Sequence, residues 1–550
     1  MIKKFCCSAY LLLQSLTVWG QTPDLVQSDG ITSPLHQAHV GEITFMEKVI
    51  PVENYTEADF LTTFALKENC DFNIRVFMGN SLTNYLHALA PELSAETLTQ
   101  KGNYQFTFYI DDILLYRENL PAGAGSPASK NTRTVWRVPL LSTTNEDSWG
   151  RFLWNRFILR GGEEALTAGT HTLKIEIRPY LQLAALKVGE LIAQGQIQIT
   201  IAQPQIDEQQ IAIQPIKPHS GWPISTASYD HDKIRELNRK IAERAFKDLT
   251  SLVVIKDGKL WLEEYFNGAT RHSLHDTRSV GKTFASALTG IAIHDGHLKG
   301  VQQTLKEFYS LHTFAHYSAK KDSVTLQSLL TMSSAFAGSD NDDASPGNEE
   351  KMYPTDNWVR FALNLPMDEA KKAGQQWDYF TAGVVLLGDI LHQSVPGGLE
   401  KYAEQKLFRP LGIQKYVWQY TPQKVANTAG GLQLTALDYA KFGQLYLNRG
   451  VWNGQQILPS DWVAASLSKQ IGLPFAADEF YGYLFWNKTY TVGNKAYETF
   501  YCSGNGGNKI FLFKELGLVV VITATAYNKP YAHPQVDKLM TRYLLPAMVK

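Results

Sequence analysis

The stretch Asp276-Thr-Arg-Ser279-Val-Gly-Lys282-Thr-Phe284-Ala-Ser-Ala287-Leu288 sets a lysine three residues after a serine at the head of an apolar run. If it opens a helix, both side chains stand on one face a turn apart, where an amine can take the proton of a hydroxyl. Serine and lysine are common, and the same spacing recurs at Ser318 with Lys321 and at Ser466 with Lys469. The first runs into a β-branched polar stretch and the second into Gly472 and Pro474, so neither opens a buried helix. After Lys282, by contrast, Phe284, Ala287, Leu288, Ile291 and Ala292 recur at steps of three and four, which predicts a helix with one face in a core. A lysine on that face loses hydration, which favours the neutral amine that acts as a base. The helix start also aims backbone N–H groups at Ser279, whose own amide can then help to hold an oxyanion.

At 550 residues the chain exceeds one typical core, and two or more domains are expected. Its 52 basic and 53 acidic side chains give no charge-based case for nucleic acid or an anionic membrane. Hydrophobic content of 44% with 19% charged residues is that of a folded globular protein. Residues 1–20 read as a signal peptide: Lys3 and Lys4, an apolar run about Leu11, Leu12 and Leu13, then Val18-Trp19-Gly20. The expectation is a bacterial protein secreted across the inner membrane, periplasmic or extracellular, with a mature chain starting at Gln21. Lys3-Lys4-Phe5 before Cys6 and Cys7 does not fit a lipobox, and no later stretch is long and apolar enough to span a bilayer. Cleavage leaves Cys70 and Cys502, too few for a disulfide framework, and whether they pair stays open.

From about residue 40 to 205 the hydrophobic pattern has period two: Phe72, Ile74 and Val76; Tyr104, Phe106, Phe108 and Ile110; Leu173, Ile175 and Ile177; Ile197, Ile199 and Ile201. Residues 21–218 are therefore expected to form an all-β sandwich accessory domain, with Pro121 to Thr132 a loop and Leu181 to Leu191 a short helix. Trp149 and Trp154 could bind sugar, but core packing is the better reading of large aromatics. A Pro-marked connection, Gln214-Pro215 to Gly221-Trp222-Pro223, leads to a second domain at 219–550. There Ile234, Leu237, Ile241, Ala245 and Leu249 line a helix, and Leu252 to Ile255 and Leu260 to Leu262 make a hairpin about Asp257-Gly258. Thr499 to Ser503, Ile510 to Phe513 and Leu518 to Thr523 are strand candidates, and Val536 to Leu545 a closing helix. The order predicts an α/β (α+β) domain, an antiparallel sheet built from both ends and flanked by helices, with a helical subdomain between.

Residues from about 225 to 550 resemble the serine β-lactamase and penicillin-binding-protein superfamily, in its class C-like branch with esterases and aminohexanoate-dimer hydrolases. Three elements match in order: Ser279-Val280-Gly281-Lys282 as Ser-x-x-Lys, Tyr379-Phe380-Thr381 where the family has Tyr-x-Asn, and Cys502-Ser503-Gly504-Asn505 where it has Lys-Thr-Gly. Leu329-Leu330-Thr331-Met332-Ser333-Ser334 and Ala429-Gly430-Gly431-Leu432-Gln433-Leu434-Thr435 resemble the branch as well. The resemblance implies a β-lactamase/transpeptidase-like fold and an acyl-enzyme on Ser279, with Lys282 as base and Tyr379 moving protons. It also implies an oxyanion and substrate site from the amides of Ser279 and Asn505 with Ser503, Gly504 and Thr381. Tyr379 needs a close ammonium to become a phenolate, and Lys282 could supply it. Thr381 replaces an asparagine amide, and Cys502 stands where a substrate-holding cation is usual, which turns the expectation toward small or peptide-like neutral amides and esters.

Other motifs point elsewhere and fail. Gly281-Lys282-Thr283 imitates a P-loop, but Asp276 stands where a glycine is required. Asp340-Asn341-Asp342-Asp343 lacks the glycine and glutamate of a calcium loop and reads as a solvated acidic loop near the site. His272 with His275 and His294 with His297 read as loop and helix-surface residues. No Gly-x-Ser-x-Gly or His-Glu-x-x-His occurs. The expectation is a serine hydrolase with no metal and no cofactor. Its rivals are a peptidoglycan D-amino-acid peptidase or β-lactamase, and an inactive envelope scaffold whose β domain binds a glycan or protein.

Overall fold

The structure, a computed structural model, describes residues 31–549 except 49, 52–53, 68–69, 144–148 and 203–205, and only the backbone of Trp149 and Arg151. The expected signal peptide lies outside the described residues. Two compact units divide at Pro204 and Gln205.

In the first unit, strands Ile43–Met46, Phe72–Phe77 and Val135–Leu141 form one antiparallel sheet. A second sheet runs Thr63–Leu66, Ala193–Ile201, Gly169–Gln182, Gly102–Ile110 and Ile113–Asn119. The two share a core in which Phe45, Phe72, Ile74 and Val138 meet Phe106, Phe108, Ile175 and Ile177. Ile197 and Ile199 alternate with exposed Gln196 and Gln198, the period-two pattern of a half-buried strand. Phe72–Phe77 is buried on both faces, because Phe77 packs with Met46 and Tyr55 in a separate cluster behind its sheet.

The all-β expectation needs correcting. Helices Leu82–Leu89 and Ala95–Lys101 interrupt the strands, each opened by a serine, Ser81 or Ser94, whose hydroxyl accepts a backbone N–H of the first turn. The loop expected at Pro121 to Thr132 holds helix Pro127–Thr132, with proline in the first turn where its missing N–H costs nothing. Leu181 to Leu191 is no helix: strand Gly169–Gln182 continues and folds back as Leu186–Val188. Trp154 is core, packed on Phe72 and Phe157.

The second unit takes in residues 206–218, which sequence had assigned to the first, because Gln214 is tied to the edge of its sheet. The Gln214 N–H donates to Glu264 (2.8 Å) and its side-chain amide to the Tyr265 carbonyl (2.8 Å). Helix His231–Ala242 buries Ile234, Leu237 and Ile241 but stops before Ala245, and Leu249 opens a strand instead. The hairpin Leu249–Lys256 to Lys259–Tyr265 turns at Asp257 and Gly258, both at positive φ. An eight-stranded antiparallel sheet orders Lys259–Tyr265, Leu249–Lys256, Leu518–Ala524, Asn508–Phe513, Lys495–Gly504, Trp486–Val492, Ala476–Tyr481 and Ile471–Leu473. Its centre is buried on both faces. Ile510, Leu512 and Val519 pack against Gly443 of helix Ala436–Leu447, with Val521 on the same face, while Phe511, Phe513, Val520 and Ile522 face the closing helix Ala532–Leu539. Strands covered on both sides read as continuous apolar runs, as Leu518–Ala524 does. The Phe284 and Phe442 rings, stacked at 3.8 Å, fasten Gly281–His294 to helix Ala436–Leu447. Cys70 and Cys502 are free thiols, and among the described residues no helix is long and apolar enough to cross a membrane.

Candidate active site

Chain entry to Ser279 is set by a short bridge. His275 and Asp276 pair with Leu434 and Gln433, and Thr277 donates both its N–H (2.8 Å) and its hydroxyl (2.7 Å) to the Leu432 carbonyl. Asp276 accepts the N–H of Arg278 (2.9 Å), which sits in the left-handed region at φ +47°. A tight turn, Arg278–Val280, then leads into helix Gly281–His294 and leaves Ser279 half-buried at its head. His275, read as a surface histidine, is buried, and burial pushes its imidazole down to about 4.

Lys282 is 2% exposed. Its Nζ donates to Ser279 Oγ at 2.8 Å and to the Ala429 carbonyl at 2.7 Å. The carbonyl holds the amine under the hydroxyl, so the pair is fixed rather than a chance meeting of flexible side chains. Gly430 makes that approach feasible: at φ +158°, a Cβ there would lie 2.9 Å from the carbonyl carbon of Arg278.

Tyr379 closes the third side. Lys282 Nζ is 5.2 Å from its ring centroid, and its phenol is hydrogen-bonded with Ser279. Burial raises the phenol above its ordinary value; Lys282 and the Ser279 bond oppose this without reversing it. Burial thus favours the neutral phenol over the phenolate that a neighbouring ammonium alone would give. Its ring stacks on Trp486 at 5.8 Å, and Trp377 lies 6.1 Å away. Beyond Trp377 stands Phe475, 62% exposed, at 5.7 Å, so one flank of the site is an aromatic wall.

Of the remaining expected site residues, Gly504 joins this group. A Cβ on it would come within 2.4 Å of the Thr277 carbonyl oxygen, so only glycine lets strand Lys495–Gly504 lie against the serine turn. Thr381 does not reach a substrate position: it is fully buried at the start of helix Thr381–Ser394, its N–H donating to Asp340 Oδ2 (2.7 Å). The Ser503 hydroxyl accepts from Lys509 on the next strand (2.6 Å), on the face opposite Cys502, because neighbouring strand residues point to opposite sides. The Asn505 side chain is locked to Asn528, amide to carbonyl (2.6 Å) and carbonyl to backbone N–H (2.9 Å). Cys502 is fully buried, accepts from Thr283 of the serine helix (3.4 Å) and has its thiol pushed up to about 12, which leaves no thiolate for nucleophilic chemistry.

Two residues were missed in the sequence. Lys509, buried within the apolar strand Asn508–Phe513, is pushed down to about 7 by burial and by Lys488; a lone charge inside an apolar run was the available signal. Asp340 is the other. Read as part of a solvated loop, it faces inward, and its carboxylate accepts backbone N–H groups from two separate segments.

A family model described as Beta-lactamase matches residues 241–540. The chain belongs to the beta-lactamase family. Members of that family are generally serine hydrolases, and the matched range includes Ser279, Tyr379 and Gly504. Solved structures with similarity include a candidate 6-aminohexanoate-dimer hydrolase from Bacillus anthracis, at 18% identity over 63% of this chain and 91% of that one, TM-score 0.48. An octameric penicillin-binding protein homologue from Pyrococcus abyssi aligns at 20% identity over 56% and 77%, TM-score 0.44. A D-stereospecific amidohydrolase from a Streptomyces species aligns at 14% identity over 53% and 93%, TM-score 0.42. No curated protein matches the chain.

Proposed function

We propose that the second unit is a serine hydrolase that cleaves a neutral ester or amide through an acyl-enzyme on Ser279. The observation that carries this is the 2.8 Å contact between Lys282 Nζ and Ser279 Oγ, with the amine held from behind by the Ala429 carbonyl. Lys282 takes the hydroxyl proton as Oγ attacks the acyl carbon. Tyr379, kept protonated, gives a proton to the leaving oxygen or nitrogen and regains one from the Lys282 ammonium. Water then hydrolyses the acyl-enzyme by the same groups in reverse order. The backbone N–H groups of Ser279 and Asn505 are the proposed oxyanion donors.

The neutral-substrate reading rests on Cys502, a buried uncharged side chain where the family's cation is usual. The aromatic wall of Trp377, Trp486 and Phe475 beside Tyr379 favours an apolar acyl or leaving group. In this proposal residues 1–20 direct secretion to the periplasm or medium, and the first unit is an accessory domain of sandwich type.

A fluorophosphonate probe is expected to label the full-length protein at Ser279 faster than a fluorescent penicillin does, read by gel and peptide mass. Preference for the penicillin would move the assignment to a D-amino-acid peptidase or β-lactamase, and silence from both to a non-catalytic scaffold.

A further inference from the structure

We propose that Asp340 is the positioning residue of the site, a carboxylate that holds Tyr379 at its working distance from Lys282 and releases it on protonation. The inference rests on the Ser-Lys-Tyr reading above. Loop 338–340 grips the segment Tyr379-Phe380-Thr381 at three successive residues. The Asp340 N–H donates to the Tyr379 carbonyl (2.8 Å). Gly338 lies under the Phe380 ring, where a Cβ would come within 2.3 Å. Asp340 Oδ2 accepts the Thr381 N–H (2.7 Å), the first of helix Thr381–Ser394. The other oxygen, Oδ1, accepts the N–H of Glu349 (2.8 Å) and fixes the loop to segment Glu349–Met352. No helix N-cap hydrogen bond comes from Phe380, so the external carboxylate supplies it.

The titratable groups facing Asp340 are Lys282 from the serine helix, Glu349 and Tyr353 from the capped segment, and Tyr379. Burial first and Glu349 second raise the Asp340 carboxyl to about 6, against the pull of the Thr381 bonds and Lys282. A proton on the carboxyl removes its charge and weakens both bonds, because a neutral carboxyl is a poorer acceptor of N–H donors than a carboxylate. Weakening of the Thr381 bond loosens the segment before helix Thr381–Ser394 that carries the phenol. The consequence is an acid limb that acts on turnover rather than on substrate binding.

The test compares wild type with Asp340→Asn, using p-nitrophenyl butyrate hydrolysis from pH 4.5 to 8 and backbone hydrogen exchange at pH 7. In wild type, kcat falls below a midpoint near 6 while KM stays within twofold. In Asp340→Asn, whose amide can accept at one atom only, kcat at pH 7 drops about tenfold or more, the limb near 6 is absent, and exchange in 378–383 accelerates. Turnover within twofold of wild type, a persisting limb, or unchanged exchange overturns the proposal. A wild type that fluorophosphonate does not label at Ser279 refutes the Ser-Lys-Tyr reading separately, and the exchange comparison still decides whether Asp340 holds the segment.

In the first unit, a cavity of about 340 Å³ has an aromatic wall of Tyr104 and Trp136, stacked at 4.5 Å, extended by Leu120 and Pro121. Its lining carries two cations, the buried Lys130 and the exposed Arg133, and no carboxylate. Lys130 Nζ spends two N–H donors on the carbonyls of Thr99 (2.7 Å) and Gly102 (3.0 Å), which leaves its third donor and the Arg133 guanidinium as uncommitted positive charge. We further propose that this cavity binds a small organic carboxylate with an apolar body, ring or chain against Trp136 and carboxylate toward Arg133. Calorimetric titration of the full chain with 4-phenylbutyrate is expected to give one saturable site, weakened about tenfold or more by Arg133→Gln and abolished by Ala124→Trp, which fills the cavity. 4-Phenylbutan-1-ol, lacking the charge, is expected to bind at least tenfold more weakly. No saturation by 4-phenylbutyrate, or equal affinity for acid and alcohol or for wild type and Arg133→Gln, overturns the assignment.

Discussion

Ser279→Ala is expected to abolish fluorophosphonate labelling and to lower ester turnover by about ten-thousandfold or more, since the acyl acceptor itself is gone. The fold should be indifferent to the change. Lys282 loses one hydrogen-bond acceptor but keeps the Ala429 carbonyl, and one such bond contributes only about 1 kcal/mol. An unshifted melting curve with no labelled adduct in the mass spectrum is the predicted pair of results. Labelling that persists at another residue would show that the 2.8 Å pair is not the reacting one.

Tyr379→Phe has the second largest expected effect, about a hundredfold to a thousandfold on kcat, because it removes a proton donor and nothing else. The ring keeps its stack on Trp486 and its neighbour Trp377, so stability should change by no more than about 1 kcal/mol. Burial holds the wild-type phenol above its ordinary value, so the donor stays protonated through neutral and moderately alkaline pH. Wild-type turnover should accordingly show no alkaline loss attributable to Tyr379 below about pH 10. Turnover in the phenylalanine variant equal to wild type would remove Tyr379 from the mechanism.

Much of the second unit was legible from residue order because each element there agrees with its surroundings. Period-three-and-four apolar residues after Lys282 form the buried helix, Asp257-Gly258 makes the hairpin turn, and Leu518 to Thr523 is a central strand. Strands Ala476–Tyr481 and Trp486–Val492 were not picked out, since they lie toward the sheet edge, where half-exposed residues blur both periods. In the first unit the strands announced themselves through alternation, while its helices did not. Leu82–Leu89 and Ala95–Lys101 are one or two turns long, and such short segments carry too few repeats to outweigh the surrounding β pattern.

The amino-acid order alone determined which residues form the serine helix and that Lys282 stands one turn beyond Ser279, because helical spacing is a local property of the chain. Only the tertiary structure decided what surrounds that pair. The Ala429 carbonyl behind the amine, Gly504 against the turn, Tyr379 beside both and Asp340 gripping the tyrosine segment come from positions 39 to 225 residues away from Ser279 or Tyr379 in sequence. It also turned Thr381 and Ser503 away from the expected roles, by burial and by strand alternation. Hydrogen-bond partners and solvent exposure belong to the packed chain, and no spacing rule contains them.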